Sequence, residues 1–331
     1  MSASYKVTAI GNAIVDILAH TDSEFLKAEA ENGMARNAMT LIDAARAQEL
    51  FTKMQNPITM SGGSAANTMA CFAALGGHGA YIGKVAPDEF GKNFADDMNK
   101  TGIYFNTPPL IDGPPTAQCL IFVENNGLRT MNTFLGASVL VAPEDIDETL
   151  IAHSDITYLE GYLFDREHAK KAFLIAASYV RKYNKKLSLT LSDTFCVERH
   201  RDDFKNLIKN HVDILFANEY ELLALYQTET LDEAIKLVQA DCPLTAVTKG
   251  AAGSVIVTKT SIIGIDAYPV ATVVDTTGAG DAYAAGFLYG ISYGHTLETA
   301  GALGSRIAAE IIGQMGPRPQ QNFRDFTAHA A

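Results

Sequence analysis

The sequence predicts an α/β protein with three layers, in which helices pack on both faces of a mostly parallel β-sheet, and a small β-rich lid beside this core. Strand-like and helix-like segments alternate over the second half of the chain, which is typical of βαβ units. Two early segments break the alternation: residues 13–20 follow the first strand without a helix, and residues 115–137 predict a hairpin that turns at Asn126-Gly127. We therefore assign two groups of segments, a core of residues 1–12, 61–106 and 142–331 and a lid of residues 13–60 and 107–141.

The core elements are predicted in order from their apolar periodicity. The later ones are strand ITYLEG, helix HAKKAFLIAASYVRKY, strand KLSLTLSD, helix RDDFKNLIKN, strand VDILFAN, helix LDEAIKLVQA, and strands LTAVTKG, GSVIVTKT, SIIGIDAY and ATVVD. Five polar residues each stand at the end of an apolar run: Asn12, Asp193, Asn218, Thr248 and Asp275. In open parallel sheets this edge binds the ligand, so the active site is expected there.

Composition and charge limit the partners of the chain. Of its 331 residues, 47% are hydrophobic and 19% are charged, a balance typical of a globular protein. The 26 basic and 38 acidic residues give a formal charge of -12, which disfavours nucleic acid and anionic membranes as partners. The N-terminal residues do not match a secretion signal, and no apolar run reaches about eighteen residues, so we expect a cytoplasmic protein. No C-x-x-C pair groups the cysteines, and we expect all four to be buried and reduced: Cys71, Cys119, Cys196 and Cys242.

The stretch DTTGAGDAYAAGFLYG, residues 275–290, joins the last predicted strand to a helix. Gly278 and Gly280 let the backbone approach a ligand closely, and the free N–H groups of a first helical turn favour an anion. The stretch is neither a P-loop nor a G-x-G-x-x-G fingerprint. Two interpretations of Asp281 are open: a helix cap or first-turn acid, and a group that contacts substrate.

A second glycine cluster, SGGSAANTMACFAALGG at residues 61–77, also precedes a predicted helix. One interpretation is a tightly packed, capped helix that ends at a glycine. In the other, Gly62 and Gly63 let a hydroxyl-rich ligand lie against the backbone while Asn67 hydrogen-bonds it. Asp16 favours the second interpretation, because a carboxylate inside an apolar strand is costly to bury unless its oxygens are satisfied, and vicinal hydroxyls would satisfy both.

Two further polar features have alternative interpretations. Asn218 and Glu221 form an N-x-x-E pair typical of a capping box, although Glu221 could instead hold water on a magnesium ion bound mainly by phosphates. Arg129 lies on the predicted hairpin and is either a solvated strand charge or a group that neutralises a transferring phosphate when the lid closes. The eight histidines show no metal-ligand spacing, and none is assigned to chemistry.

The two glycine clusters in this order, with N-x-x-E between them, resemble the PfkB or ribokinase-like family of sugar and nucleoside kinases. Residues 61–91 are similar to the first family signature, residues 275–290 to the second, and VTKGAAGSVIV at residues 247–257 to the nucleotide-site strand and turn. The resemblance covers nearly the whole chain. It implies a Rossmann-like, ribokinase-like core and the ATP-dependent phosphorylation of a primary hydroxyl, with magnesium as the metal.

The resemblance also implies catalytic roles. Asp281 corresponds to the general base, and the backbone amides of Gly278, Ala279 and Gly280 correspond to an anion hole for the γ-phosphate.

Roles in binding nucleotide and metal follow from the same resemblance. Glu221 would contact magnesium through water, and Asp275 and Thr276 lie where family members bind a monovalent cation, usually potassium. The implied nucleotide site comprises Asp193, Asn218, Thr248, Gly250 and Gly253.

On the substrate side, GNAIVD, GGSAANT and EGY are most similar to the adenosine kinases of the family. The resemblance implies that Asp16, Gly63 and Asn67 hold the ribose hydroxyls and that Tyr162 stacks on the purine. The implied pocket comprises Asn12, Asp16, Gly62, Gly63, Ser64, Asn67 and Tyr162, with Met39 and Met131 as adaptable apolar walls.

We therefore expect phosphorylation of the 5'-hydroxyl of adenosine to AMP by a monomer or homodimer. The alternatives are a sugar kinase or an inosine or guanosine kinase of the same family, which would share the catalytic residues. A nicotinamide-dependent dehydrogenase is disfavoured because GNAIVD stands where a G-x-G-x-x-G turn is required. A catalytically silent nucleoside sensor is disfavoured because Asp281 and Glu221 are present.

Overall fold

The structure is a computed structural model and describes residues 4–124 and 128–327. In chain order, its strands are β1 Tyr5–Ile10, β2 Ile14–His20, β3 Met39–Leu41, β4 Ile58–Gly62, β5 Gly79–Ile82, β6 Ile103–Phe105, β7 Ala117–Val123, β8 Arg129–Phe134, β9 Ser154–Glu160, β10 Lys186–Thr190, β11 Ile214–Asn218, β12 Leu244–Thr248, β13 Ser254–Thr258 and β14 Ile262–Ile265. Its α-helices are α1 Ser23–Ala30, α2 Ala44–Lys53, α3 Ser64–Ala74, α4 Glu89–Lys100, α5 Glu148–Ala152, α6 Glu167–Lys182, α7 Thr194–His211, α8 Glu219–Tyr226, α9 Leu231–Asp241, α10 Ala279–Ser292, α11 Leu297–Ile312 and α12 Arg324–Thr327.

The main sheet has the order β14-β13-β12-β11-β10-β9-β1-β5-β6. Neighbouring strands from β12 to β6 are parallel, and antiparallel pairing begins only at β13. Helices α3, α4, α10 and α11 pack on one face through side chains such as Phe72 and Phe287. Helices α5 to α9 pack on the other face through side chains such as Phe173 and Phe204. The predicted three-layer core is therefore confirmed.

The second sheet is a small lid with the order β3-β8-β7-β2-β4. As predicted, β2 follows β1 without a helix between them, and β7 and β8 pair in antiparallel fashion. The predicted turn at Asn126-Gly127 lies outside the described residues. One face of the lid sheet packs on α1 and α2, where the Phe122 and Phe25 rings have centroids 4.9 Å apart.

The opposite face of the lid sheet combines an apolar row with one carboxylate. Strand pairing places Leu18 beside Ile121, Ile121 beside Met131, and Met131 beside Met39. Asp16 precedes Leu18 by two residues and therefore lies on the same face, because side chains alternate along a strand. This face thus presents an acid at the end of an apolar wall.

Two predicted elements differ from the structure. The run ATVVD, residues 271–275, is not a strand: Val273 and Val274 are 56% and 44% exposed, and the amides of Val274 and Asp275 donate to the Ile312 carbonyl at the end of α11. Because these two amides bond to the end of a helix rather than to a strand, the apolar composition of the run does not make it a strand. Helix α7 begins seven residues before the predicted helix RDDFKNLIKN, because Asp193 accepts a hydrogen bond from the Cys196 amide and caps the earlier start.

The predicted strand-end residues gather at the carboxyl edge of the main sheet, with the exception of Asp275. Asn12 follows β1, Asp193 follows β10, and Asn218 and Thr248 are paired neighbours at the ends of β11 and β12. Asp275 instead reaches the region from the loop before α10. The predicted burial of the cysteines is confirmed for all four. Among the described residues, no helix has both the length and the apolar composition needed to cross a membrane.

Candidate active site

Helix α10 begins without a side-chain cap from the described part of the chain. Its N-cap is Gly278, in the left-handed conformation with φ of 78°, and Asp281 lies in the first turn. The Asp281 carboxylate accepts hydrogen bonds from Ser64 Oγ at 2.6 Å and from Asn67 Nδ2 at 3.2 Å, both on α3. The interpretation of Asp281 as a helix cap is therefore wrong: it is a first-turn acid whose carboxylate faces a second helix.

The backbone amides at the start of α10 are only partly used. The Ala279 amide donates to the Thr276 carbonyl at 3.2 Å. Within the described residues, the amides of Gly278 and Gly280 have no hydrogen-bond partner, and a Cβ placed at Gly280 would meet nothing within 4 Å. An open space with unpaired amides at a helix N-terminus is suited to an anion.

The turn before α3 has close backbone packing that explains its glycines. Gly63 has φ of 92°, and a Cβ there would lie 2.1 Å from the Asn12 carbonyl oxygen. A Cβ at Gly62 would lie 2.4 Å from the carboxyl carbon of Asp16. Asp16 is only 9% exposed, yet its carboxylate has no hydrogen-bond partner in the described part of the chain. It is therefore a buried acid with its hydrogen-bonding capacity free.

Glu160, at the end of β9, was missed by the interpretation of the sequence. Its carboxylate accepts from Asn12 Nδ2 at 2.7 Å, from the Asn12 amide at 3.3 Å and from the Ala65 amide at 2.9 Å. It therefore links the end of β1 to the first turn of α3. Burial raises the pKa of Glu160 to about 7, while the bonds from Ala65 and Asn12 oppose that rise. Its position as an acid at the end of the apolar strand ITYLE was the one sequence feature that could have indicated a functional role.

The segment Met315 to Arg318 was also missed. The Gly316 amide donates to Asp275 Oδ2 at 2.8 Å, and Pro317 packs so closely on Gly278 that a Cβ there would lie 2.5 Å from it. Arg318 Nε donates to Asn67 Oδ1 at 2.9 Å. No spacing or composition in MGPR indicates these contacts, which depend on the return of the chain after α11.

Two acids, Asp16 on the lid sheet and Asp281 on helix α10 of the core, lie close enough to interact electrostatically. Burial raises the pKa of Asp281 to about 6, opposed by the hydrogen bonds from Ser64 and Asn67 and by the charge of Arg318. Burial also raises the pKa of Asp16 to about 6, opposed by Arg318 and Arg129. Asp16 comes from the lid and Asp281 from the core, so the site lies where the two meet.

A cavity beside Asp281 extends along the strand ends. Its lining includes Ser64 and Gly280 together with Asn218, Glu221 and Thr248. Asn218 and Glu221 form the predicted capping box: each side chain accepts from the other residue's backbone amide at 2.9 Å. Burial raises the pKa of Glu221 to about 7. The capping interpretation is confirmed, and the capped residues also line the cavity.

In the described part of the chain, the other predicted nucleotide residues, Asp193, Gly250 and Gly253, are not among the residues that line this cavity, and neither is the predicted substrate residue Tyr162. Asp193 is the N-cap of α7. Gly250 and Gly253, with φ of 54° and 80°, form the turn between β12 and β13. Tyr162 lies in a short 3-10 turn after β9, is 37% exposed, and donates its amide to Ser192 Oγ at 3.2 Å.

Arg129 of the lid binds Asp275 of the core. An Arg129 Nη2 to Asp275 Oδ2 distance of 2.6 Å joins side chains that are 7% and 8% exposed. The other carboxylate oxygen of Asp275 accepts from the Thr277 amide at 3.1 Å, and Thr276 itself is exposed. Arg129 Nε and Nη1 are buried and have no partner among the described residues. This guanidinium therefore joins lid to core with two donors still unused.

The site combines a half-buried carboxylate, helix amides that are unpaired within the described residues, and a lid beside the sheet edge. This arrangement is that of a phosphotransferase that acts on a hydroxyl group. The model of the pfkB carbohydrate kinase family matches residues 36–322. The chain belongs to that family.

Individual relatives agree with this assignment. The crystal structure of adenosine kinase from Sinorhizobium meliloti is 47% identical, with a TM-score of 0.90, and the match covers 99% of this chain and 100% of that one. The crystal structure of a probable sugar kinase from Rhizobium etli CFN 42 is 43% identical, with a TM-score of 0.90, over 99% and 98% of the two chains. Adenosine kinase from Saccharomyces cerevisiae is 27% identical over 336 aligned residues, which cover 94% of this chain and 96% of the yeast protein.

Proposed function

We propose that the protein is an adenosine kinase, which transfers the γ-phosphoryl group of ATP to the 5'-hydroxyl of adenosine and releases AMP and ADP. The observation that carries this proposal is the orientation of Asp281, which faces Ser64 and Asn67 beside the unpaired amides of α10 rather than capping its own helix. The nucleoside as acceptor is supported by the similarity to the Sinorhizobium meliloti adenosine kinase.

The substrate pocket is proposed between the lid face and the turn before α3. The free carboxylate of Asp16 would accept from the ribose hydroxyls, with Gly62 and Gly63 allowing close approach and Asn67 as a further polar contact. The purine would lie against the apolar wall and stack on an aromatic ring. The residues proposed to surround the purine and the rest of the nucleoside are Asn12, Ser64, Tyr162, Met39 and Met131.

In the proposed reaction, Asp281 accepts the proton of the 5'-hydroxyl as the oxygen attacks the γ-phosphorus. The bond between that phosphorus and the bridging oxygen to the β-phosphate breaks, and ADP leaves with its electron pair. The Gly278 and Gly280 amides would donate to the transferring group, and Ala279 would join them by releasing Thr276. These donors act where negative charge develops in a site shielded from water, and there such interactions are strong.

The unused donors of Arg129 support a role toward phosphate. A buried guanidinium with two unpaired nitrogens is costly, and the oxygens of a phosphate would satisfy it. The proposed nucleotide site runs along Asn218, Thr248, Gly250 and Gly253, with Asp193 beside it.

Magnesium would be bound mainly by the phosphates, with Glu221 reaching it through water, and would neutralise charge on them. Glu221 fits this role because it is buried at the cavity wall and carboxylates are preferred ligands of this ion. The cation site at Asp275 and Thr276 does not fit the present arrangement, because Arg129 and two backbone amides already occupy the Asp275 carboxylate.

We further propose that residues 13–60 and 107–141 move as the lid and exclude water on closing, with the ion pair between Arg129 and Asp275 as one lid contact. We also propose that the protein is cytoplasmic and is a monomer or a homodimer.

A sugar kinase is the second candidate, because a probable sugar kinase from Rhizobium etli CFN 42 is 43% identical over nearly the whole chain. An ADP-release assay with adenosine, inosine, guanosine, ribose and fructose distinguishes the candidates. We expect kcat/KM to be highest with adenosine. Turnover of ribose or fructose without turnover of any nucleoside would contradict the proposal in favour of the second candidate.

A further inference from the structure

We infer that Arg318 is a positioning residue of the active site, which fixes the orientation of the Asn67 amide that donates to Asp281. The inference rests on the proposed function for the role of Asp281 as a base. Arg318 acts on Asp281 through Asn67. Its Nε donates to Asn67 Oδ1, and Asn67 Nδ2 donates to Asp281 Oδ2.

The direction of these two bonds decides which end of the amide faces the acid. A side-chain amide has one acceptor and one donor group, and an arginine can only donate. Because Arg318 holds Oδ1 of Asn67, the NH2 group must face the opposite side, where Asp281 lies. Without Arg318, the amide could rotate and present Oδ1 to a carboxylate, which would repel the ionised form of Asp281.

The backbone around Arg318 restricts its movement. It lies between Pro317 and Pro319, each of which has a fixed φ. Pro317 packs against Gly278 at the start of α10, and the guanidinium nitrogens lie 3.7 and 3.9 Å from the Met98 sulfur of α4. The segment that carries Arg318 is therefore held both by α10, which carries Asp281, and by α4.

The charge of Arg318 reinforces the geometry. It opposes the effect of burial on the pKa of both Asp281 and Asp16. Asp97 and Asp16 in turn favour its charged form, although burial lowers the pKa of Arg318. Among the described residues other than Arg318, the titratable and charged groups that interact with Asp281 are acids, a thiol and phenols: Asp16, Glu160, Cys71, Tyr158 and Tyr162.

Three substitutions separate the contact from the charge. Arg318→Lys keeps the charge, Arg318→Gln keeps a hydrogen-bond donor without charge, and Arg318→Met removes both. We expect Arg318→Met to lower kcat about 10- to 100-fold, because a misplaced catalytic group costs that much. We expect Arg318→Lys and Arg318→Gln to retain more activity. The matched control is Arg324→Met, since Arg324 packs along Gly76 away from the site, and we expect unchanged kcat.

The pH profile adds a readout that simple loss of packing would not move. Loss of the charge raises the pKa of Asp281, so the acid limb of kcat/KM should shift to higher pH in Arg318→Met and Arg318→Gln but not in Arg318→Lys. In an Asn67→Ala background, the effect of Arg318→Met on kcat should shrink, because its partner is absent. Equal effects in both backgrounds with an unmoved acid limb would overturn the inference. If Arg318→Met does not fold, the Lys and Gln variants carry the same comparison.

The wild-type protein distinguishes this inference from the proposed function. If it transfers phosphate to no nucleoside or sugar, the proposed function fails while Arg318 is still testable by NMR of the Asn67 side-chain NH2 group. A changed 15N shift in Arg318→Met and an unchanged shift in Arg324→Met would support the positioning contact. An unchanged shift in both would overturn it.

Discussion

Helices α3 and α10 begin with the same backbone geometry, but they differ in what accepts hydrogen bonds from the amides of their first turns. Each follows a glycine with positive φ, Gly63 at 92° and Gly278 at 78°, and neither is capped by a side chain of the residues that the structure describes. At α3, the carboxylate of Glu160 accepts from an amide of the first turn. At α10, nothing in the described part of the chain accepts from Gly280. One helix start is closed by the protein's own anion and forms a fixed platform, whereas the other is open to an anion from outside.

The largest expected effect comes from removing the base at the open helix. Asp281→Asn should lower kcat by about 10² to 10⁴, because the amide cannot accept the hydroxyl proton. Its thermal stability should change little, since Asp281 makes no cap bond. A coupled ADP-release assay together with thermal unfolding measures both quantities.

The matched control is a true cap on the neighbouring helix. Thr296 accepts from the Thr299 amide at the start of α11, and Thr296→Ala should cost about 1 kcal/mol of stability without affecting kcat. Near-normal turnover in Asp281→Asn would exclude Asp281 as the base.

Alanine at Gly63, before α3, and at Gly280, in the first turn of α10, should have different effects on stability and turnover. Gly63→Ala should destabilise the fold by about 2 to 4 kcal/mol, because its Cβ would lie 2.1 Å from the Asn12 carbonyl and φ is positive. Gly280→Ala has room for its Cβ and should leave stability almost unchanged, while slowing turnover about 10-fold by crowding the phosphate. Urea unfolding and ADP release measure the two effects, and a Gly280→Ala variant as unstable as Gly63→Ala would show that the open space is not real.

The smallest expected effect is a shift of the acid limb of the kcat/KM pH profile to higher pH than an ordinary aspartate would give. Burial raises the pKa of Asp281 to about 6, and a base works only when ionised. The ionised fraction falls as pH decreases below that value, so kcat/KM should fall about tenfold per pH unit below about pH 6. A profile of kcat/KM between pH 4 and 9 tests this, and an acid limb near the ordinary value for aspartate, about 4, would contradict it.

Most of the fold was predictable because its determinants are local. Apolar periodicity and strand-end polar residues identified the parallel sheet, and the uninterrupted step from β1 to β2 identified the lid. The prediction failed at ATVVD, where the amides of Val274 and Asp275 bond to the end of helix α11 instead of to a strand. Such pairing is a property of the assembled sheet and is not encoded in five residues.

The site was predictable in part for a similar reason. Asp281, Asn67 and Asp16 stand in or beside local glycine motifs, so their types and positions indicated a role. Glu160 and Arg318 act across 95 and 251 positions of sequence, to Ala65 and Asn67 respectively. No spacing rule connects groups that far apart, because their contact is created by tertiary packing.

The most direct test of the open helix start is a crystal structure of the protein with adenosine and a non-hydrolysable ATP analogue. We expect the terminal phosphate at the amides of Gly278 and Gly280, with the 5'-hydroxyl within hydrogen-bond distance of the Asp281 carboxylate. A triphosphate bound elsewhere, with those amides still unpaired, would contradict the account.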